Sequence, residues 1–417
     1  MQTGEFDVVK FISRGSYTLV YEVIYTRGYG ETATTMTCAL KRFYLLNSSA
    51  VQCALRERHI LARLARKKRQ SPFLVTLIES CRIRGAPAFV LHKGSGLNLW
   101  DLVTNVGYLG ENDMRFYSCE IICGLEHLHA MRIVHLDVKP YNILIADSGH
   151  ILITDFDHSY DMSQETGPPK KTDFTGTPFF MAPEIKDGLA ITTRADIWSL
   201  GVLVACIMYG YATALDWLGT RRFMKGHLPN VSTPLRKFFK ACLTHNYNKR
   251  LNIDGVKRLE FYKDVNWREV IACKLEPPYR PFDLEVFAAK KKCNFDPFNP
   301  LLVAGAYDAH MPLIERRLRD IRDKYGVRRL MVVSPNYKDL ARAKLTAERI
   351  AELFSNFDFI NTHLLHPYRK YHGEQANFDS TFWLPSCDLG SKWCLLPFLL
   401  VCIFELFIWL QYTSSFG

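Results

Sequence analysis

Two short runs near the middle of the chain gather the residue types that bind metal ions and orient hydroxyl groups. The first is His135-Leu136-Asp137-Val138-Lys139-Pro140-Tyr141-Asn142, and the second, a short loop later, is Thr154-Asp155-Phe156-Asp157. Upstream stand Lys41, in the strand-like CALKR, and Glu57, in RERHIL on the helical stretch that follows. Transfer of a phosphoryl group asks for little covalent help. It needs phosphates held in place, metal ions that spread their charge, and a carboxylate near the attacking hydroxyl. These stretches supply each part in order. Lys41 can pair with nucleotide phosphates if a carboxylate fixes its ammonium, and Glu57 is placed to do so. A lone Asp-Phe pair would carry no information; both runs, the lysine and the glutamate in sequence do.

The elements that must position these groups read from periodicity. Residues 6 to about 95 are strand-like and rich in Val, Tyr and Phe, interrupted by one helical stretch over 51–64 with Leu55, Leu61 and Leu64 at roughly helical spacing. From about 97 to 265 the pattern turns helical, with apolar stretches at 114–130 and 196–210 and the polar runs in loops between them. The spacing predicts a small sheet with one helix followed by a mainly helical lobe. After Pro278 come extended, Pro- and Phe-containing chain, charged helical patterns at 312–325 and 337–354, and a His/Tyr-rich linker.

The 417 residues are 48% hydrophobic, enough for a two-lobed enzyme or two ordinary domains, and they exclude a disordered chain. A net charge of +11 suits acidic partners without naming one, and it singles out no nucleic acid. Twelve scattered cysteines with no export signal before them read as reduced thiols, which places the body of the protein in the cytosol and disfavours a zinc site. The basic run Arg63, Arg66, Lys67, Lys68 and Arg69 reads either as a solvated loop or as a dock for phosphates. The stretch 393–411, beginning WCLLPFLLVCIFELFIWL, is long enough to cross a bilayer, against which stand Glu405 and Pro397. Membrane anchor and buried hydrophobic tail both stay open.

Together the polar runs resemble those of eukaryotic protein kinases of the serine/threonine type. The resemblance implies an α+β bilobal protein-kinase fold over residues 6–262, with a small β-sheet N-lobe carrying one helix (about 6–92) and a mainly helical C-lobe (about 97–262). It implies ATP and Mg2+ as cofactors and a protein serine or threonine as acceptor. On this likeness Asp137 orients the hydroxyl and receives its proton, Lys139 neutralises the transferring phosphate, Lys41 and Glu57 pair, and Asn142 and Asp155 hold the metal. Thr177, in Thr175-Gly176-Thr177-Pro178, marks serine/threonine specificity; Glu184, in Ala182-Pro183-Glu184, should pair with Arg250; Asp196 should support the catalytic loop from beneath. A nucleotide pocket would be lined by Ile12, Ser13, Arg14, Gly15, Ser16, Val20, Ala39, Lys41, Leu91, Lys93 and Leu144. The alternative is a pseudokinase, the same fold used as a scaffold or adaptor.

Less universal features resemble the AGC group: Ser148-Gly149-His150, then FYKDVNW (261–267), PPYRP (277–281) and NFDPF (294–298). They imply an AGC-like tail over 263–360, with Phe295 reaching toward the adenine pocket, then a linker over 361–391. Phe354-Ser355-Asn356-Phe357-Asp358-Phe359 matches the tail's docking motif, yet Phe354 and Phe357 also continue an amphipathic stripe with Ile350 and Leu353. Both readings stay open at this stage.

The chain also departs from the family pattern. Only Gly15 survives of three phosphate-loop glycines, which predicts weaker ATP binding because side chains obstruct the approach of backbone amides to phosphates. Leu136 stands where an arginine is usual, and Asp173 occupies the place of the activating threonine, so activity without activation-segment phosphorylation is expected. Asp157 replaces the glycine of the metal motif. Asn98 and Tyr141 replace two glutamates of basophilic relatives, so no strong preference for arginine is expected.

Overall fold

Alternation of apolar residues builds the N-terminal sheet. In strand β2 (Thr18–Arg27) Leu19, Tyr21, Val23 and Tyr25 are buried while their neighbours are less so, the period of two that a pleated strand imposes. The computed structural model describes residues 5–28, 34–45, 47–67, 70–83, 85–164, 168–220, 231–281, 340 and 344–362. β1 (Glu5–Arg14), β2 and β3 (Thr34–Phe43) pair antiparallel, and β3 pairs with β5 (Ala86–His92), which pairs with β4 (Leu77–Ile83). Between β3 and β4 lies helix α1 (Ser48–Ala65), started by Asn47, whose side chain accepts from the Ala50 amide at 2.9 Å.

A two-residue strand leads into the second lobe. β6 (Leu97–Asn98) is followed by α2 (Leu99–Val106), α3 (Glu111–Ala130), β7 (Ile133–Val134), β8 (Ile143–Ile145), β9 (Ile151–Ile153) and β10 (Tyr160–Asp161). β6, β8 and β9 form one small sheet, and β7 pairs with β10 in another. Helices α4 (Pro183–Lys186), α5 (Arg194–Tyr209), α6 (Tyr211–Thr220) and α7 (Thr233–Cys242) follow, then α8 (Ile253–Lys257) and α9 (Trp267–Ile271). α5 is apolar around nearly its whole circumference and almost every residue of it is buried, as expected of a helix at the centre of a lobe. The expected sheet with one helix and the expected helical lobe are both present.

The last described segment lies against the first lobe. Helix α10 (Ala347–Leu353) is followed by β11 (Phe359–Ile360), which adds an antiparallel edge to β4 with Phe359 opposite Ser80. The segment that includes PPYRP meets the β8–β9 turn, where a Cβ on Gly149 (φ +91°) would stand 2.7 Å from the Tyr279 carbonyl. Two stretches singled out by their AGC likeness are therefore neighbours. Phe295, the helical pattern at 312–325, most of 337–346, the linker from 363 and the apolar stretch 393–411 lie outside the described residues. Among the described residues no helix is long and apolar enough to cross a membrane.

Candidate active site

The catalytic loop is held from below by one buried carboxylate. Asp196, in the first turn of α5, accepts the amides of His135 (2.9 Å) and Leu136 (2.9 Å), and His129 Nε2 lies 2.8 Å from it. Leu136 sits at φ +63°, a left-handed backbone that costs an L-residue about 1–2 kcal/mol, and the two amide bonds stabilise it there. The activation segment presses onto the same point: a Cβ on Gly176 (φ +135°) would meet the Leu136 carbonyl at 2.4 Å, so only glycine fits.

On this support the Asp137 side chain is buried and fully engaged. Its Oδ2 accepts from Lys139 Nζ (2.7 Å) and Asn142 Nδ2 (2.9 Å); its Oδ1 accepts from the Thr177 amide (2.9 Å) and Thr177 Oγ1 (2.6 Å). Lys139 Nζ also reaches Thr177 Oγ1 at 2.8 Å. Burial works against ionisation of Asp137, but the nearby charges of Lys139 and His158 and the bonds from Lys139 and Thr177 outweigh it and hold the carboxyl far below the usual range. Burial works against the Lys139 ammonium, yet the charges of Asp137 and Asp155 keep it above the ordinary lysine value.

The second half of the site comes from the first lobe. β3 carries Lys41, whose Nζ donates to Glu57 (2.7 and 2.8 Å) on α1 and to Asp155 Oδ1 (2.6 Å). Burial disfavours the Lys41 ammonium, yet Asp155 and Glu57 raise its pKa above the ordinary value. Burial pushes the Glu57 carboxyl up, and Lys41 pulls against that rise. Asp155, at φ +69°, is held below its usual range, the charges of Lys41 and Lys139 overcoming its burial. The β8–β9 hairpin joins the two halves, since the Thr154 amide donates to the Asn142 carbonyl at 3.0 Å. Phe156 is fully buried against His135. Asp157 does not take a positive φ, and burial followed by the charge of Asp155 raises its carboxyl.

The expected nucleotide-pocket residues fall on facing strands. Val20 lies across from Lys41, and Ala39 across from Leu91. Leu144 stands beside Gly94, and Lys93 pairs with Glu22 on β2 at 3.4 Å. Ile12, Ser13, Arg14, Gly15 and Ser16 form the end of β1 and its turn, closed by the Gly15 amide on the Thr18 carbonyl (2.9 Å). The Tyr44 hydroxyl lies 2.9 Å from the Gly15 carbonyl and 2.7 Å from that of Ser16, so it steadies a turn short of glycine. Nothing in the local sequence around Tyr44 signals this contact.

The activation segment carries the remaining candidates. Asp173 lies 3.4 Å from Arg56 of α1, and Glu184 forms a fork with Arg250 at 2.5 and 2.9 Å. The docking motif is seated: Phe354 and Phe357 are buried, Phe357 stacks on Phe89 at 5.5 Å, and Ser80 Oγ donates to the Phe357 carbonyl at 2.6 Å. The amphipathic stripe and the docking motif are one surface, because Ile350 is buried with them. Of the basic run, Arg63 is engaged on α1 and Arg66 lies over the Phe359 ring at 5.7 Å, while Lys68 and Arg69 lie outside the described residues.

A lysine–glutamate pair on one lobe facing an aspartate held by lysine, asparagine and threonine on the other defines a protein kinase. The chain belongs to that family: the protein kinase domain model matches residues 6–262. It is 29% identical over 308 residues to the serine/threonine protein kinase ypkA of Aspergillus fumigatus, covering 71% of this chain and 46% of that protein. Over 267 residues it is 31% identical to protein kinase C delta type of Homo sapiens, covering 62% of this chain and 38% of that one. Over 306 residues it is 30% identical to the serine/threonine-protein kinase YPK2/YKR2 of Saccharomyces cerevisiae, covering 71% and 43%. These relatives are AGC-group kinases. The chain spans less than half the length of each of these three relatives.

Proposed function

We propose that this chain is a serine/threonine protein kinase that transfers the γ-phosphoryl group of ATP to protein hydroxyls. The observation that carries the reading is the Asp137 carboxylate, fixed by Lys139, Asn142 and Thr177 in a cleft where Lys41 is held by Glu57 and Asp155. A scaffold has no physical need for charged groups that converge in this way.

The charges and hydrogen bonds around Asp137 keep its carboxylate ionised in the cleft. Its part is to orient the acceptor hydroxyl and to take the proton as the new oxygen–phosphorus bond forms and the bond to the leaving ADP oxygen breaks. Lys139, bonded to Asp137 and Thr177, stands ready to neutralise charge on the transferring group. Lys41 aligns the phosphates, and Glu57 keeps its ammonium aimed. Val20, Ala39, Leu91 and Leu144 supply an apolar pocket for the base, with Lys93 at its edge.

The donors at Asp155 and Asn142 are oxygen atoms, one on a carboxylate kept ionised, and this set fits Mg2+, which takes one or two protein oxygens and keeps its other positions for water and phosphate. When bound there the ion would spread the charge of the triphosphate.

Two features support activity without activation-segment phosphorylation. Leu136 leaves no arginine beside Asp137 to read a phosphate, and Asp173 already gives Arg56 an anionic partner. The test is incubation of the purified chain with magnesium, labelled ATP and a serine/threonine peptide library, beside Asp137→Asn. Incorporation by the wild type and loss in the variant is the expected result. No incorporation by either refutes the reading.

A further inference from the structure

Four consecutive residues of α1 bond to four different parts of the molecule. Arg56 faces Asp173 and the Asp157 carbonyl, each at 3.4 Å; Glu57 holds Lys41; Arg58 Nε donates to the Phe357 carbonyl at 3.1 Å; His59 Nε2 lies 2.9 Å from Asp161 Oδ2. One turn further, Arg63 Nη1 stands 2.6 Å from Asp161 Oδ1, and its Nη2 donates to the Met131 carbonyl at 2.8 Å. Arg56, His59 and Arg63 are spaced three and then four residues apart, so they share one helix face.

Asp161 is where that face is gripped. It lies on β10, its side chain 8% exposed, and it also accepts the Ser163 amide (3.0 Å) and Ser163 Oγ (2.6 Å). Burial works against its ionisation, but the bonds from Ser163 and His59 and the charge of Arg63 hold the carboxyl below its usual range. β10 pairs with β7, Asp161 opposite Ile133, and β7 leads directly into the loop that carries Asp137.

We propose that Asp161 is a positioning residue: it holds α1, and with it the Lys41–Glu57 pair, in register with the catalytic loop. The proposal rests on the kinase reading above and extends it to how the site is kept assembled. A carboxylate built into the chain needs no modification to act, which suits an activation segment facing Leu136 in place of an arginine.

The test uses the full chain with Asp161→Asn and Arg63→Met, singly and combined. Asp161→Asn is expected to speed amide hydrogen exchange across 56–64 by about tenfold or more and to lower kcat/KM for ATP by about tenfold, with KM for the peptide unchanged. The double variant should lose clearly less than the sum of the two single losses, because both remove the Asp161–Arg63 contact, while Arg63→Met also gives up the Met131 carbonyl and Asp161→Asn weakens the His59 contact. Unchanged exchange in α1, or additive losses, would overturn the proposal. Should Asp161→Asn not fold, Arg63→Met alone carries the same exchange test, since it leaves Asp161 its partners His59 and Ser163. If the wild type transfers no phosphate at all, the kinase reading falls, while exchange in α1 still decides the grip.

Discussion

Arg250 and Glu184 form a buried fork, Nη1 to Oε1 at 2.5 Å and Nη2 to Oε2 at 2.9 Å, that ties the chain after α7 to the end of the activation segment. The guanidinium also donates to the Thr244, Arg194 and His245 carbonyls, so its removal takes a donor from each of them and from the buried Glu184 at once. Arg250→Met should cost about 3–5 kcal/mol of stability. Chemical denaturation of variant against wild type measures it, and a loss below about 1 kcal/mol would contradict the buried pairing.

Asp173 and Arg56 bear on regulation. A phosphatase-treated chain should keep its full rate, whereas Asp173→Ala, which strips Arg56 of that partner, should lower kcat several-fold. A treated chain that stays inert until an upstream kinase is added would refute phosphate-independent activity.

Phe357 anchors the last described segment between Phe89 and Phe354. Phe357→Ala removes a buried ring, a change worth about 3–5 kcal/mol in a core. The expected result is faster proteolysis within 344–362 while the core of the second lobe stays protected. Equal cleavage of the two proteins would mean that the segment does not dock in solution.

Asp137 sets a pH signature. Its carboxyl titrates near about 3.9 in an unfolded chain and much lower in the fold. The folded state therefore binds fewer protons, and the stabilisation is complete above the unfolded value and is lost as pH falls through the folded one. The difference in Tm between wild type and Asp137→Asn should stay constant from pH 8 to about 5 and move against the wild type below about 4. A difference that already drifts between pH 7 and 5 would show that this carboxyl is not held acidic.

The lobes and the central site were legible because each key group sits in a dense local run: Asp137, Lys139 and Asn142 fall within six residues, and Asp155 follows soon after. Asp196 and the Glu184–Arg250 pair could be placed by family likeness. His59 and Asp161 carry no signal of their own in the sequence, and Arg63 reads there only as part of a basic run, because the contact spans about a hundred residues of chain and surface-type charges ordinarily read as solvated. The common helix face of Arg56, His59 and Arg63 was the available signal. For Phe354 and Phe357 spacing alone fitted two readings, and the facing Ser80 and Phe89 resolved it. Tyr44 gave no sign at all, since its contact is with backbone carbonyls.

Successive residues on a helix point about 100° apart, so the bonds made by Arg56, Glu57, Arg58 and His59 radiate around the whole axis of α1. Rolling the rod in either sense strains bonds on several of its sides at once, the Lys41–Glu57 pair among them. Disengagement of α1 therefore requires partners on different sides of the axis to be given up together.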